Sequence, residues 1–475
     1  MPSLALYWHR NDLRLHDNPT LASARADHDL VLPVYCFDPR HYRMLDLGFR
    51  KADIKRFYFL LDCLRHLRDL YRERGADLLI AVGEPETILP KLVERYGAAK
   101  VYTQQEIASE EAGVERAVAA GLAPLKIDLE LIWGRTLYHR DDIPYTAAEI
   151  PLTSKAFRIN VTKKTEVRPL VPTPDRISVP DDVEWGELPT PSQVGYTEKE
   201  ELPDYQPFVP GGETAALERL RYYTYETHLV QRYKSTRSQS HGMDYSSKFS
   251  AWMAVGCLSP RTVYHTIKEY EVETKKKNGT WWLIFEVVWR DFFAFTHLRF
   301  GDRVFAAGGI KEREVEWSHD RELFGRWCAG RTGVPYLDAH LRQLTATGFT
   351  SNRGRVNAAS FLTRDYRIDW RWGAAWFESH LLDYDVSSNW LNWNTQATEI
   401  YYTNPVHQSV KYDKAGTYIL TWLPELKALP APYFHAPWLA REDEVADLPD
   451  LDYPQPLEVY KKWGRSIGNI RKLIA

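Results

Sequence analysis

The sequence predicts an α/β domain followed by an all-α domain, and three observations carry that expectation. Up to residue ~135, short β-rich runs alternate with amphipathic helical runs, the pattern of a doubly wound parallel sheet. Between 169 and 210 nine prolines interrupt any regular element. From Glu213 onward the pattern is almost wholly helical. At 475 residues the chain also exceeds what one hydrophobic core usually organises.

Taken in order, LALYW (4–8), LVLPVYCF (30–37), DLLIAVG (77–83), KVYTQ (100–104) and LKIDLELIW (125–133) are short β-rich runs that read as buried parallel strands. Segments 51–74, 85–96 and 109–120 have helical periodicity. No G-x-G-x-x-G follows the first strand, which argues against a nicotinamide-type dinucleotide site. The proline-rich stretch reads as an extended connector over the surface. That helical pattern runs through stretches such as ETAALERLRYYTYETHLVQRY and TWWLIFEVVWRDFFAFTHLRF, with no internal repeat. The expected division is an α/β domain at 1–135, a linker at 136–212 and a helical domain at 213–475.

Charge does not choose a partner. Lysine plus arginine number 61 against 64 aspartate plus glutamate, so nucleic-acid binding would need a local basic patch. The four cysteines form no CxxC pair, which argues against zinc and against a disulfide framework, and fits a reducing, cytoplasmic compartment. No run of ~18 apolar residues suggests a membrane span, and no secretory leader opens the chain. Of 17 tryptophans most follow residue 250, consistent with either a large aromatic core or a cofactor site.

Four segments could carry chemistry. Ser246, Ser247 and Ser250 around Lys248 could bond phosphate oxygens at a helix start, or simply cap that helix. Glu286 and Arg290 stand four apart among apolar neighbours, where charge requires a partner or a ligand. Asn352, Arg353 and Arg355 share one turn, and Arg355 could bridge an acidic partner or an anion. In SHLLDYDVSSNWLNWN (379–394), Asp383 and Asp385 can accept from sugar or ring donors or hold a metal, while Asn389 can both donate and accept.

Together these segments resemble the photolyase/cryptochrome family over nearly the whole chain. YWHRNDLRLHDNPTL (7–21) resembles its first strand and loop, and WRDFF (289–293), GVPYLDAHLRQLTATGFTSNRGRV (333–356) and LLDYDVSSNW (381–390) resemble its flavin-binding signatures. FRK (49–51), QEIASEE (105–111), WGRTLYHRDDIPY (133–145) and the N-R-G-R run are most similar to the DASH-type branch. The iron–sulfur branch is unlike this chain, which lacks the needed cysteine cluster.

The resemblance implies a non-covalent FAD in the helical domain. Tyr233, Ser246, Ser247 and Ser250 would hold its phosphates and ribityl chain, with Glu286, Arg290, Asn352 and Arg355 as further contacts. Asp383 and Asp385 would face the ring and adenosine side, and Asn389 the flavin N5. Trp393, Trp370 and Trp317 match the electron-transfer tryptophans. The implied activity is light-driven splitting of cyclobutane pyrimidine dimers in DNA, single-stranded by preference, by a monomer. Glu286 and Asn352 would contact the flipped-out dimer, against a wall made by Trp289. The antenna would be a methenyl folate, 5,10-methenyltetrahydrofolate, with Glu110 as its carboxylate contact. The implied alternative is a photoreceptor whose flavin redox state controls a partner.

Two departures bear on that choice. Where the family has an aromatic two residues after the relay tryptophan this chain has Thr395, and NTQATEIYY (394–402) is shorter than the family's loop. Leu391 replaces the glycine usual in N-W-G-N-W. Both changes weigh against strong repair more than against flavin binding.

Overall fold

The structure, a computed structural model, describes residues 2–398, 402–443 and 451–474. The first element, β1 (Leu4–His9), is buried at every position. It is followed by α1 (Pro19–Asp27), β2 (Leu30–Phe37), α2 (Ile54–Arg72), β3 (Leu79–Val82), α3 (Pro85–Tyr96), β4 (Lys100–Gln104), α4 (Ser109–Leu122) and β5 (Leu129–Ile132). All pairings are parallel, in the order β3-β2-β1-β4-β5. Leu6, Trp8, Leu32, Val34, Val101 and Leu122 are among the side chains that fill the core between sheet and helices. The five expected strands and three expected helices are all present. Helix α1 was not expected; Asn18 accepts from Leu21 N at 3.0 Å and Pro19 opens the helix, a start signal that its scattered apolar residues obscure.

The stretch expected to be a linker contains a helix, α5 (Ser154–Lys164). Beyond it the proline-rich segment is irregular and ties itself to the α/β layer. Ile80 N donates to Trp185 O at 2.7 Å, and Tyr196 OH donates to Ala52 O at 2.8 Å. Gly186, at φ 67°, lies where a Cβ would come within 2.3 Å of Ile80 O, so only glycine fits.

The remaining elements are helical: α6 (Glu213–Arg221), α7 (Tyr233–Thr236), α8 (Ser250–Val255), α9 (Pro260–Thr274), α10 (Thr280–Phe300), α11 (Arg321–Cys328), α12 (Pro335–Thr347), α13 (Asn352–Arg364), α14 (Trp370–His380), α15 (Val386–Thr398), α16 (Pro405–Tyr412), α17 (Thr417–Trp422), α18 (Pro437–Glu442) and α19 (Gly464–Ile474). By contact the chain forms two compact units. The first is 1–234, 247–304 and 382–388, and the second is 235–246, 305–381 and 389–475. The sheet, α5 to α6 and α8 to α10 therefore share one unit, and α11 to α14 and α16 to α19 the other. No helix among the described residues is long and apolar enough to cross a membrane.

Candidate functional site

The sequence-nominated residues fall in both units. In the first, the strand order reverses between β1 and β4, and ligands of open α/β sheets bind in the crevice at such a reversal. The chain leaving β1 supplies Arg10, whose Nη1 donates to Glu115 Oε1 at 2.6 Å and whose guanidinium lies 4.8 Å over the Trp8 ring. The chain leaving β4 supplies Glu106, which accepts from Asn11 Nδ2 at 3.2 Å and Gln104 Nε2 at 3.3 Å. Burial pushes the Glu111 carboxyl up to about 7, and its Oε2 is enclosed without a hydrogen-bond partner. Glu110 is exposed and pairs with Lys51.

Arg135, only 6% exposed, links Glu106 at this crevice to the nominated Asp385. One end of its guanidinium pairs with Glu106, and Nη2 donates to Asp385 Oδ2 at 2.6 Å. Arg290 Nη2 stands 3.6 Å from the same Asp385 oxygen, and Ser388 N donates to Oδ1 at 2.8 Å, starting α15. Burial opposes ionisation of Asp385, but the two guanidinium groups and this N–H more than offset it and hold the carboxyl far below its ordinary range. Arg135 was not nominated from sequence. It lies inside the quoted WGRTLYHRDDIPY, yet nothing local assigns it a partner 250 residues away.

On α10, Arg290 also donates to Met253 O at 3.3 Å and to Arg135 O, so its charge serves this carboxylate cluster. The next residue, Asp291, is fully buried and accepts from Leu137 N and Tyr138 N, each at 2.9 Å. Burial raises its carboxyl to about 7 despite those two bonds. Glu286 and Trp289 are half-buried one turn apart, and Trp289 packs on Phe293 at 5.3 Å between ring centroids. Tyr233 and Ser247 are buried and Asp383 is 9% exposed. Ser250 is exposed and opens α8, which has no side-chain cap; simple capping by that serine is therefore not what the structure displays.

In the second unit, Ser351 caps α13, accepting from Gly354 N at 3.2 Å. The exposed Asn352 opens α13, and Arg355 Nε donates to Thr350 O at 3.1 Å. Gly354 is obligatory, since a Cβ there would lie 2.3 Å from His340 Nδ1. His340 is buried in turn by Thr350 Oγ1 at 2.9 Å and Tyr418 OH at 2.8 Å, and burial takes its imidazole down to about 3. This polar knot fixes the start of α13. Ser246 is half-buried.

Asn389 Nδ2 donates to Ala374 O at 3.0 Å, leaving its amide oxygen as an acceptor. Trp393 is 3% exposed and packs on Phe377 at 5.1 Å and Trp327 at 6.1 Å. Gly373 makes room for it, because a Cβ there would meet Trp393 Cη2 at 2.3 Å. Trp370 and the half-buried Trp317 converge on one carbonyl, donating to Ala307 O at 3.0 and 3.1 Å. Trp390, not nominated from sequence, sits edge-on to Trp370 at 5.8 Å. Thr395 is exposed and its hydroxyl donates to Leu391 O at 2.8 Å, turning back into its own helix. Of the shortened segment, 399–401 lie outside the described residues. No group of three potential metal ligands occurs among the described residues.

Residues 5–175 match the DNA photolyase domain family, and residues 282–467 match the FAD binding domain of DNA photolyase. Cryptochrome DASH of Danio rerio is 41% identical, covering 97% of this chain and 91% of that protein. Cryptochrome DASH of Natronomonas pharaonis is 43% identical, over 95% of this chain and 97% of the relative. The crystal structure of the Synechocystis cryptochrome superposes with a TM-score of 0.91 at 39% identity, covering 99% of each chain. A bacterial class III photolyase from Agrobacterium tumefaciens shares the fold, with a TM-score of 0.82 at 24% identity over 99% of this chain and 98% of its own.

Proposed function

The chain belongs to the photolyase/cryptochrome family, in its cryptochrome DASH branch, and from that premise we propose that it is a blue-light-driven, FAD-dependent photolyase acting on cyclobutane pyrimidine dimers, chiefly in single-stranded DNA. Bound and reduced, FAD would supply the photoexcited electron that opens the dimer. The observation that carries the reading is the arrangement at Asp385, whose Oδ2 is faced by Arg135 Nη2 at 2.6 Å and Arg290 Nη2 at 3.6 Å. A carboxylate kept ionised in a buried place by Arg135 and Arg290 is an acceptor built for N–H or O–H donors of a ligand.

The other side chains suit the same cofactor. Asp383 adds a second acceptor, and Asn389 offers its amide oxygen to a ring N–H without adding charge. Tyr233, Ser246, Ser247 and Ser250 provide hydroxyls for phosphate and ribityl oxygens, with Arg290 and Arg355 as cationic neighbours. Glu286 and Asn352 would bond the edges of the extruded bases and Trp289 would stack on them, roles that require an unpaired or weakly paired strand. Trp393, Trp370 and Trp317 would return electrons to the cofactor from solvent reductants. Residues 1–135 would hold a folate antenna, 136–212 would connect, and 213–475 would hold FAD. The carboxylates beside the β1–β4 reversal, with Glu110 at their rim, suit a pterin's amino and ring N–H donors. We take the protein to work as a cytoplasmic monomer.

One feature favours the second reading, a photoreceptor with weak or no repair. Thr395 spends its hydroxyl on Leu391 O and offers no stacking face where the family has an aromatic. The deciding experiment is illumination of photoreduced holoprotein with a dimer-bearing oligonucleotide. Restored thymine in the single strand supports the enzyme; none in either single or double strands leaves the photoreceptor.

A further inference from the structure

Trp390 has no part in the relay of Trp393, Trp370 and Trp317, yet it touches that relay at its middle. Its ring stands edge-on to Trp370 at 5.8 Å and edge-on to Phe305 at 4.9 Å between centroids. Trp370 is fully buried and Trp390 half-buried, so the contact leads from the interior to a ring that solvent reaches. Trp317, also half-buried, is joined to Trp370 through the Ala307 carbonyl that both N–H groups share.

The indole N–H groups differ in their acceptors. Those of Trp317 and Trp370 donate to Ala307 O, and that of Trp327 to Ala358 O. Trp390 Nε1 instead donates to Glu378 Oε2 at 3.0 Å, and Glu378 is 7% exposed. For a resting indole either acceptor serves. Packing alone does not call for Glu378, since a carbonyl satisfies a neutral N–H without the desolvation cost of a carboxylate. Once a ring has lost an electron the two acceptors are no longer equivalent. An indole radical cation is a far stronger acid than indole; an amide oxygen cannot take its proton, and a carboxylate within hydrogen-bond reach can. A negative oxygen largely withdrawn from water also lowers the energy of a positive ring before any proton moves.

We propose that Trp390 and Glu378 form a proton-coupled trap for the oxidising equivalent, joined to the relay at Trp370. The oxidised Trp370 ring takes one electron from Trp390 and returns to neutral indole, while the Trp390 Nε1 proton passes to Glu378 Oε2. The products are a neutral Trp390 radical and a protonated Glu378, and the net charge over the three side chains is unchanged. An external thiolate then gives one electron to Trp390 and becomes a thiyl radical, and the proton returns from Glu378 to Nε1. Recombination inside the protein requires that proton to move back as well, which leaves the external reductant time to act. The trap rests on the relay assigned to Trp393 and Trp370, and adds to it a second exit beside Trp317 and a named base.

The test is transient absorption after a blue flash on protein loaded with oxidised FAD, in light and heavy water, reading tryptophan radicals, whose cation and neutral forms absorb at different wavelengths. Wild type should pass from the cation to the neutral radical, more slowly in heavy water. Glu378→Gln, which keeps the shape and an acceptor but is no base, should leave the cation standing and lose the isotope effect. Trp390→Phe should lose the isotope-sensitive neutral radical, and Trp317→Phe should keep it. Trp281→Phe, at the exposed start of α10, is the control for loss of any tryptophan and should match wild type. Oxidation from solution by a photogenerated ruthenium(III) complex bypasses the relay; it should give the Glu378-dependent neutral radical even in Trp370→Phe, where the flash should not. Thermal melts and bound-FAD absorbance verify folding of each variant. The same decay of the cation in wild type, Trp390→Phe and Glu378→Gln overturns the trap, and if Trp393→Phe still suppresses the flash signal, the relay stands without it. A neutral radical after oxidation from solution but none after the flash removes the relay and the junction at Trp370 together.

Discussion

Arg135→Met removes the guanidinium that joins Glu106 to Asp385 while keeping much of its apolar stem. Deleting one partner of a buried ion pair costs ~3–5 kcal/mol, because the remaining charge stays buried. Here the lower end applies: Asp385 retains Arg290 at 3.6 Å and the Ser388 N–H, and Glu106 retains Asn11 and Gln104. The unit concerned has about 300 residues, whose unfolding entropy at ~2.1 cal/mol/K per residue converts ~3 kcal/mol into a fall in Tm of ~5 °C. Circular-dichroism melts of wild type, Arg135→Met, Asp385→Asn and the double variant read both the loss and the coupling. The double variant should be more stable than the sum of the single losses predicts, by ~1.5 kcal/mol or more. A Tm within about 1 °C of wild type, or additivity within ~0.5 kcal/mol, would refute the argument that Arg135 holds Asp385 ionised.

Other expectations follow from single contacts. His340 is neutral in the fold because burial depresses its pKa to about 3, so the unfolded chain binds the extra proton between that value and its ordinary ~6.5. Its contribution is therefore complete above pH ~6.5 and is lost as pH falls; by pH 5 the loss is ~2 kcal/mol, and urea midpoints should show His340→Gln less sensitive than wild type between pH 7 and 5. Asp291, raised to about 7, has the opposite sign: its buried charge burdens the fold increasingly as pH rises from ~4 to 7, so the stability lost in Asp291→Asn should shrink between pH 5 and 8 in the same assay. Gly373→Ala places a methyl 2.3 Å from Trp393 Cη2 and 2.6 Å from Leu362 Cδ2, and melts should report an overpacking cost of ~1–3 kcal/mol. Trp393→Phe should retain FAD but slow its photoreduction by an external thiol; an unchanged rate would remove Trp393 from the relay.

The sheet was legible because short β-rich runs mark its strands: β2 to β5 fall within the quoted runs and β1 extends one residue past LALYW, to His9, but β5, expected to be buried, is only half-buried along its length. Helix α1 was not, because its signal lies in Asn18 and Pro19 rather than in periodicity. Helix α5 was hidden for a related reason: SKAFRINVTKK buries only Phe157 and Val161, too few apolar positions to set a stripe. Candidate residues on quoted motifs could be named from local sequence, and so Asp385 and Arg290 could be nominated. Arg135 could not, since its meaning is a pairing across 250 residues. Trp390 shows the same limit from the other side: its neighbour Trp393 is nominated from sequence, while Trp390, whose ring meets Trp370, is not.

The photolyase reading depends most directly on dimer repair by the photoreduced holoprotein. A single-stranded oligonucleotide carrying one cyclobutane thymine dimer, sampled under blue light and in darkness, should regain intact thymine only in the light and in proportion to dose, and Glu286→Gln should lower the yield per photon. Equal amounts of intact thymine in light and dark, with FAD bound and reduced throughout, would contradict it.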